Sequence, residues 1–435
     1  MTIIVFILII SFLIFIHELG HLLAAKWANV KVENFSVGFG PKLFKFYIGE
    51  TEYSLSALPL GGYVKMQGEN PTEVSDDNII DPSRSFSNIP IYKKQIILLA
   101  GPLMNLLIPF IFFPIIFLNG IDAPEYLEKK MVLGSINSSD ERLEKFKPGM
   151  EILSINDVEI NTWDDFLKTK NNFLKDKIIF EVISNNKVYK INLDNRFNFL
   201  DLKSIFNPIL SSTIGAILDN SAAQKNDFKV GDKIISINNA DINVWSDIRK
   251  QLSNKNIKEF EFILVRDNNL INKKITFDTN ERNVVGISPE VKTYKKNFKG
   301  SEVLTSSFNQ SIRSINLIFH GITDIFGKLF TADSGLSDLK KSLAGPIAIA
   351  KYSGKAAEKG LNSIIQFIII ISINLGIINL MPIPLLDGGH IFFNTIEALT
   401  RRKINPKVQN FFNRIGFLIL ISLMVFAIYN DIINF

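Results

Sequence analysis

The sequence predicts a polytopic α-helical membrane protein: four transmembrane helices, a membrane-associated β-hairpin region and two further β-rich domains. Three observations carry that prediction. Apolar runs at Thr2–Ala28, Ile96–Leu118, Leu361–Leu386 and Ile415–Tyr429 have the composition of bilayer-crossing helices. From Ala123 to Val291 hydropathy falls, strand and turn signals take over, and one pattern occurs twice. The 435 residues are 47% hydrophobic with mean hydropathy +0.19, which suits a membrane protein carrying sizeable polar insertions.

The first segment, residues 1–28, begins without the basic stretch of a secretory signal, and no small-residue cleavage site follows its apolar core. It is expected to be retained as the first transmembrane helix. Within it lies His17-Glu18-Leu19-Gly20-His21. On a helix the two histidines are one turn apart on one face, with Glu18 beside them. This H-E-x-x-H pattern offers two imidazoles to Zn2+ and a carboxylate to manage the proton of a water. Ionisable groups at membrane depth cost about 3 kcal/mol or more each, so they persist where they face a protein interior or a wet cavity.

Residues 29–95 are polar and turn-rich. Gly38-Phe39-Gly40-Pro41 is expected to end a strand on a turn. Tyr53, Leu55 and Ala57 alternate with Ser54 and Ser56 ahead of Pro59-Leu60-Gly61-Gly62-Tyr63, as in a half-buried hairpin strand. The stretch around Asp76–Ser87 is charged. The second helix, 96–120, holds Gly101-Pro102, Asn105, Pro109 and Pro114, and should be kinked and packed against neighbours. Asn105 reads as interhelical glue more readily than as a site residue.

Phe146-Lys147-Pro148-Gly149-Met150-Glu151-Ile152-Leu153-Ser154-Ile155-Asn156 recurs as Phe228-Lys229-Val230-Gly231-Asp232-Lys233-Ile234-Ile235-Ser236-Ile237-Asn238, and the match extends to Trp163 and Trp245. Two copies of one small domain follow, at 123–198 and 205–292. The pattern around Gly231-Asp232 resembles PDZ domains, which capture peptide termini by strand addition. Val132–Ile136 and Ile214–Ile217 are the candidate binding segments, and neither carries a full carboxylate-loop signature. Over 301–333, apolar residues from Leu304 to Leu329 recur at helical spacing, predicting an amphipathic helix lying on the membrane or packed against the soluble pair. His320, within it, has no second ligand nearby and reads as a bystander.

The third segment, 361–392, breaks at Met381-Pro382-Ile383-Pro384 and continues through Leu386-Asp387-Gly388-Gly389-His390. A helix opened at membrane depth needs protein or water to satisfy its backbone. Catalytic zinc takes three protein ligands and keeps one open position. Asp387 is preferred for the third place, with His390 competing. No cysteine is present, so a metal must take His, Asp or Glu. The fourth helix, 413–432, follows a loop with Arg401, Arg402, Lys403, Lys407 and Arg414 and no acid from Thr400 to Arg414, which the positive-inside rule assigns to the cytoplasm. Both termini and the repeated pair then lie outside, and the H-E-x-x-H and Asp387 segments meet towards the cytoplasmic side. The net charge of +5, with no basic–aromatic stripe, argues against a nucleic-acid partner.

The H-E-L-G-H motif, Gly38-Phe39-Gly40, Pro59-Leu60-Gly61-Gly62-Tyr63 and Asn379-Leu380-Met381-Pro382-Ile383-Pro384-Leu385-Leu386-Asp387-Gly388-Gly389-His390 together resemble the site-2 protease family. The likeness is to its bacterial branch, which carries PDZ domains and activates extracytoplasmic-function sigma factors. The resemblance implies an intramembrane zinc metalloendopeptidase of the bacterial inner membrane, with zinc on His17, His21 and Asp387 and Glu18 as acid/base. It also implies that Asn374 and Asn379 contact the substrate strand. The implied substrate is a transmembrane helix of another membrane protein, such as an anti-sigma factor or a signal-peptide remnant, already trimmed outside by a first protease. The outward pair would exclude substrates that keep a large outer domain. Unwound substrate is expected to add as a strand to Tyr53–Ala57 or to the opened Asn379–Pro384 segment. A membrane scaffold or a zinc transporter is the rival reading. A scaffold has no use for Glu18 between two histidines, and a transporter has none for the outward pair.

Overall fold

The computed structural model describes residues 2–69, 82–138, 140–169, 177–194, 199–253, 257–277, 284–330, 345–402 and 404–434. Asp76–Asp81 of the charged stretch, residues 331–333 and Lys403 lie outside these. The chain divides into two compact units, one of Met1–Ile121 with Asn297–Phe435 and the other of Asp122–Lys296.

In the first unit, four helices among the described residues are long and apolar enough to cross a membrane: Thr2–Trp27, Ile91–Asn119, Leu361–Leu380 and Lys407–Ile433. The second begins at Ile91, because Pro90 pre-sets an extended entry with φ −55° and ψ 145°. Small residues set its crossings. A Cβ on Gly20 would strike the Ala100 carbonyl, and one on Gly376 would meet Leu106 and the Pro102 oxygen. Helices joined at such points approach backbone to backbone. Pro109 has no N–H for the carbonyl four residues earlier, which is that of Asn105. Ser372 Oγ donates to that oxygen instead, at 2.8 Å.

Between the first two helices lies a sheet built from two long strands, Val32–Ile48 and Thr51–Met66. The expected turn at Gly38–Pro41 is present as a reversal: the partners of 34–37 rise from Glu52 to Leu55, while those of 42–48 fall from Ser56 to Thr51. Gly38 (φ 92°) and Gly40 (φ 87°) supply the left-handed backbone at that reversal, and the chain reverses again at Gly49, where Ile48 pairs with Thr51. A third reversal spans 59–61, since Gly62–Met66 runs back along Val37–Val32. The register folds the pair into four segments. Phe35, Ser36 and Val37 face Tyr53, Ser54 and Leu55 on one side and Val64, Tyr63 and Gly62 on the other, while Phe46, Lys45 and Phe44 take the far side of Tyr53, Ser54 and Leu55. Tyr53–Leu55 is therefore interior and has no edge for an added strand, which corrects the sequence expectation. The edges are residues 42–48 and 62–66. Buried Glu52 is held by Asn34 Nδ2 (2.8 Å), Tyr47 Oη (2.5 Å) and Lys42 Nζ. The tip exposes Leu43, Phe44, Phe46, Tyr47 and Ile48.

The amphipathic helix runs Ser301–Phe330 and finds a partner the periodicity did not indicate, the second transmembrane helix. Val303 and Ile322 join the core there with Ile108 and Phe113, and the Phe110 and Phe308 rings lie 5.6 Å apart. The third apolar segment is a helix, Leu361–Leu380, a break over Met381–Leu386, and a separate helix, Asp387–Thr400. The last helix, Pro406–Asn434, is fixed at its end by Asp431, which accepts from the N–H groups of Gly345, Ile347 and Ala348 at 2.9–3.0 Å, capping the helix Pro346–Glu358.

The second unit is a duplicated fold. Strands 158–159, 151–155, 177–184 and 187–194 form one four-stranded sheet, and 240–241, 233–237, 259–266 and 269–276 repeat it in the same order. Each copy closes tight turns on paired positive-φ residues, such as Asn156-Asp157 and Asn238-Asn239. Each buries its own tryptophan, Trp163 or Trp245, in a separate core.

Candidate metal centre

His17 and His21 sit one helical turn apart on the first helix, rings edge-on with centroids 4.9 Å apart. Asp387 opens the helix that follows the broken segment. Its start is pressed into the break, where a Cβ on Gly388 would strike the carbonyls of Leu380 and Met381 and one on Gly389 that of Ile383. Only glycine fits at both positions. Leu385 is held at φ 79°, a conformation bulky residues avoid, immediately before the Leu386-Asp387 pair. From the second helix, Gln95 Nε2 donates to Thr395 Oγ1 (3.0 Å) and the Ile391 carbonyl (3.2 Å), tying the Asp387 helix down.

Three atoms converge. His17 Nε2 lies 3.3 Å from His21 Nε2 and 3.2 Å from Asp387 Oδ2, and His21 Nε2 lies 3.5 Å from that oxygen. A tetrahedral zinc with bonds of about 2.0–2.1 Å has ligand–ligand edges of about 3.3–3.4 Å. The triangle therefore has the size of one face of that tetrahedron, and the donor set, two imidazoles and a carboxylate, suits zinc. Among the described residues, these three are the group of His, Cys, Asp or Glu that could hold an ion. His21 Nδ1 donates to the Ile97 carbonyl at 2.8 Å, which leaves its Nε2 lone pair for a metal. His390 is not part of the triangle.

Glu18 faces the sheet. A Cβ on Gly62 would come within 2.9 Å of Glu18 Cγ and 2.8 Å of Ile14 Cγ2, so Gly62 leaves the space the carboxylate arm uses. The 62–66 edge thus runs beside the H-E-x-x-H helix. Asn379 reaches the centre, its Nδ2 3.5 Å from His17 Nε2. Asn374 does not: its Nδ2 donates to Ile370 O in its own helix, at 2.8 Å.

Three further residues lie at or near the centre. Asn105, expected as interhelical glue, does accept from Ser372 Oγ of the third helix through its main-chain oxygen (2.8 Å), and its amide also lies against His17, Nδ2 to Nδ1 at 3.3 Å. Gly101 gives His21 its room, since a Cβ there would overlap the imidazole. Its place one turn before Asn105 was the available signal. Glu69, just past the hairpin, is open to solvent as a residue, yet protein crowded around its carboxyl lifts the pKa to about 7. The Met66 N–H and His21 oppose that rise, and the charges of Glu18 and Asp387 add to it.

The fold and the site define a class: a zinc metallopeptidase built into apolar, membrane-type helices. The family model described as Peptidase family M50 matches residues 5–423, and the chain belongs to that family, the site-2 proteases. A relative from Vibrio cholerae named "Putative zinc metalloprotease" is 30% identical over 454 residues, covering 98% of this chain and 97% of its own. "Regulator of sigma E protease" from Haemophilus influenzae is 30% identical over 449 residues, 99% of this chain and 98% of its own. "Protease RseP" from Yersinia pestis is 29% identical over 450 residues, with coverage of 98% and 97%.

Proposed function

We propose that this peptidase hydrolyses a peptide bond within the transmembrane helix of another membrane protein, with His17, His21 and Asp387 holding zinc and Glu18 as acid/base. The observation that carries the proposal is the His17–His21–Asp387 triangle, sized for zinc, on apolar helices beside a sheet edge. Zinc bound there would supply Lewis acidity towards the scissile carbonyl and a water made acidic near neutral pH. Glu18 takes a proton from the attacking water and delivers it to the leaving amine. A helical substrate hides its peptide bonds, so it must be drawn out. The 62–66 edge offers the backbone partners for an extended strand, next to Glu18. Asn379, whose Nδ2 lies 3.5 Å from His17 Nε2, would donate to that strand. Asn374 would serve only a part of the substrate away from the centre.

In this reading the duplicated unit is a pair of PDZ-like domains on the outer side, filtering substrates by size or binding peptide termini. Both chain termini also lie outside, and the metal centre sits towards the cytoplasmic side of the inner membrane. The exposed apolar hairpin tip suits contact with lipid. Relatives named as regulators of sigma E make an anti-sigma factor the first substrate class to test, with signal-peptide remnants as the second.

The test compares the parent, Glu18→Gln and Asp387→Ala, purified in detergent with a single-spanning substrate. Glu18→Gln is expected to keep its zinc and lose about 10²–10⁴-fold in cleavage rate. Asp387→Ala is expected to lose the metal. Parent-rate cleavage by Glu18→Gln would sink the assignment of the base, and full zinc occupancy in Asp387→Ala would move the third ligand to His390.

A further inference from the structure

Asn105 is fully buried and sits against His17, but the partners are mismatched. An imidazole that ligates through Nε2 carries its proton on Nδ1 and needs an acceptor there. His21 has one, the Ile97 carbonyl. For His17 the neighbour of Nδ1 is the Asn105 NH2, donor against donor, while Asn105 Oδ1 has no hydrogen-bond partner at all. The amide has the same shape either way round. Turned over, its oxygen meets the His17 Nδ1–H, and the buried carbonyl is satisfied.

We propose that Asn105 is the positioning residue of the metal centre: its side-chain carbonyl accepts from His17 Nδ1 and holds the imidazole in the tautomer whose Nε2 lone pair faces the metal. The inference deepens the proposed metal site and rests on it. The backbone supports the role separately. The Asn105 main-chain oxygen, released by Pro109, is taken by Ser372 Oγ, so the residue is pinned from the third helix without using its amide. Interhelical glue would have been served by that backbone contact alone.

The test uses the full chain in detergent, with zinc affinity measured by chelator competition and the His17 tautomer by ¹⁵N-histidine NMR on the metal-free protein. The chain has four histidines, and His17→Ala identifies the signal. In the parent, His17 is expected with its proton on Nδ1. Asn105→Leu, which removes the acceptor, should mix the tautomers and weaken zinc binding by about 10–100-fold. Asn105→Asp keeps an acceptor and should retain both the tautomer and parent-like affinity. Ser372→Ala, which loosens the same turn through the backbone only, should leave the tautomer unchanged. Equal losses in Asn105→Leu and Asn105→Asp, or no loss in either, would overturn the proposal while leaving the zinc site standing. If the parent bound no zinc, or His17→Ala bound it as well as the parent, the metal site itself would fall and this inference with it.

Discussion

Gly101→Ala is the smallest change that should empty the metal centre without unfolding the protein. The added Cβ would overlap His21 Nε2 and sit 2.6 and 2.7 Å from ring carbons Cε1 and Cδ2. Carbon atoms settle at about 3.5–4.0 Å, so the ring or the helix must give by about 1 Å. The helix is clamped by the Gly20–Ala100 contact, which leaves the ring to move. Ligand distances at a metal hold within about 0.2 Å, so a shift of that size breaks the ligation. It also strains the Nδ1 bond to Ile97 O. Overpacking costs about 1–3 kcal/mol, and replacing a mid-helix glycine returns about 1 kcal/mol, so net stability should change by at most about 2 kcal/mol. A displaced supporting contact costs about 10–100-fold in metal affinity, and displacing the ligand itself should exceed the upper figure. Zinc competition and thermal unfolding on the same preparation check both halves. A Gly101→Ala protein that folds and binds zinc like its parent would refute the placement of His21 as a ligand against the second helix.

Two further predictions concern structure outside the centre. In the second unit, Asp232 is fully buried and held by Arg266 through Nε (2.6 Å) and Nη2 (2.8 Å). Burial works to raise the Asp232 carboxyl, but Arg266 and the Lys229 N–H outweigh it and hold it below the usual range. The pair's contribution should therefore be full above the unfolded value of about 3.9 and fade as pH falls through the lower folded one. Arg266→Leu should cost about 3 kcal/mol near neutral pH, and the deficit should shrink in acid. Hydrogen exchange in strands 233–237 and 259–266 reads both, and a pH-independent deficit would contradict the pairing. At the end of the last helix, Asp431→Ala strands three N–H groups at the start of helix 346–358 and should cost about 2 kcal/mol. Faster exchange confined to that helix start and the chain end would show it, and unchanged protection would count against the cap.

Much of this was legible in the sequence because the informative signals were local. The spacing of His17 and His21 fixes their common face. Met381–Pro384 with Gly388-Gly389 announces an opened segment, and the repeat from Phe146 and Phe228 announces two like domains. What could not be read depends on which chain lies beside which. Gly38 and Gly40 look like turn residues and do sit at a reversal, but the segments they join are not neighbours, because 52–56 lies between them. Tyr53–Ala57 reads as a half-buried hairpin strand open to an added strand, yet Tyr53–Leu55 is interior because that crossing puts a segment on each side of it. The amphipathic helix showed its apolar stripe but not its partner. Asn105 does bind the third helix through its carbonyl, as glue would, but its nearness to a ring 88 positions away could not be read from the sequence.

The second helix explains why the motif on the first helix works as a unit. Ile97, Gly101, Asn105 and Pro109 are spaced four apart, as are His17 and His21, so each set forms a ridge along one helical face. A four-residue step is about 6 Å of rise, the same on both helices. Once Gly20 sets the crossing against Ala100, the two ridges stay in step. His21 meets the carbonyl of Ile97 and the gap at Gly101, and His17 meets Asn105. One packing contact thereby orients both imidazoles. The third helix then closes the centre from the other side, with Ser372 on the carbonyl that Pro109 releases and Asp387 one break further along. Gly101 of the second helix, unfavourable in an ordinary helix interior, is what lets the His21 imidazole lie this close to its backbone, and Pro109 frees the carbonyl that Ser372 takes.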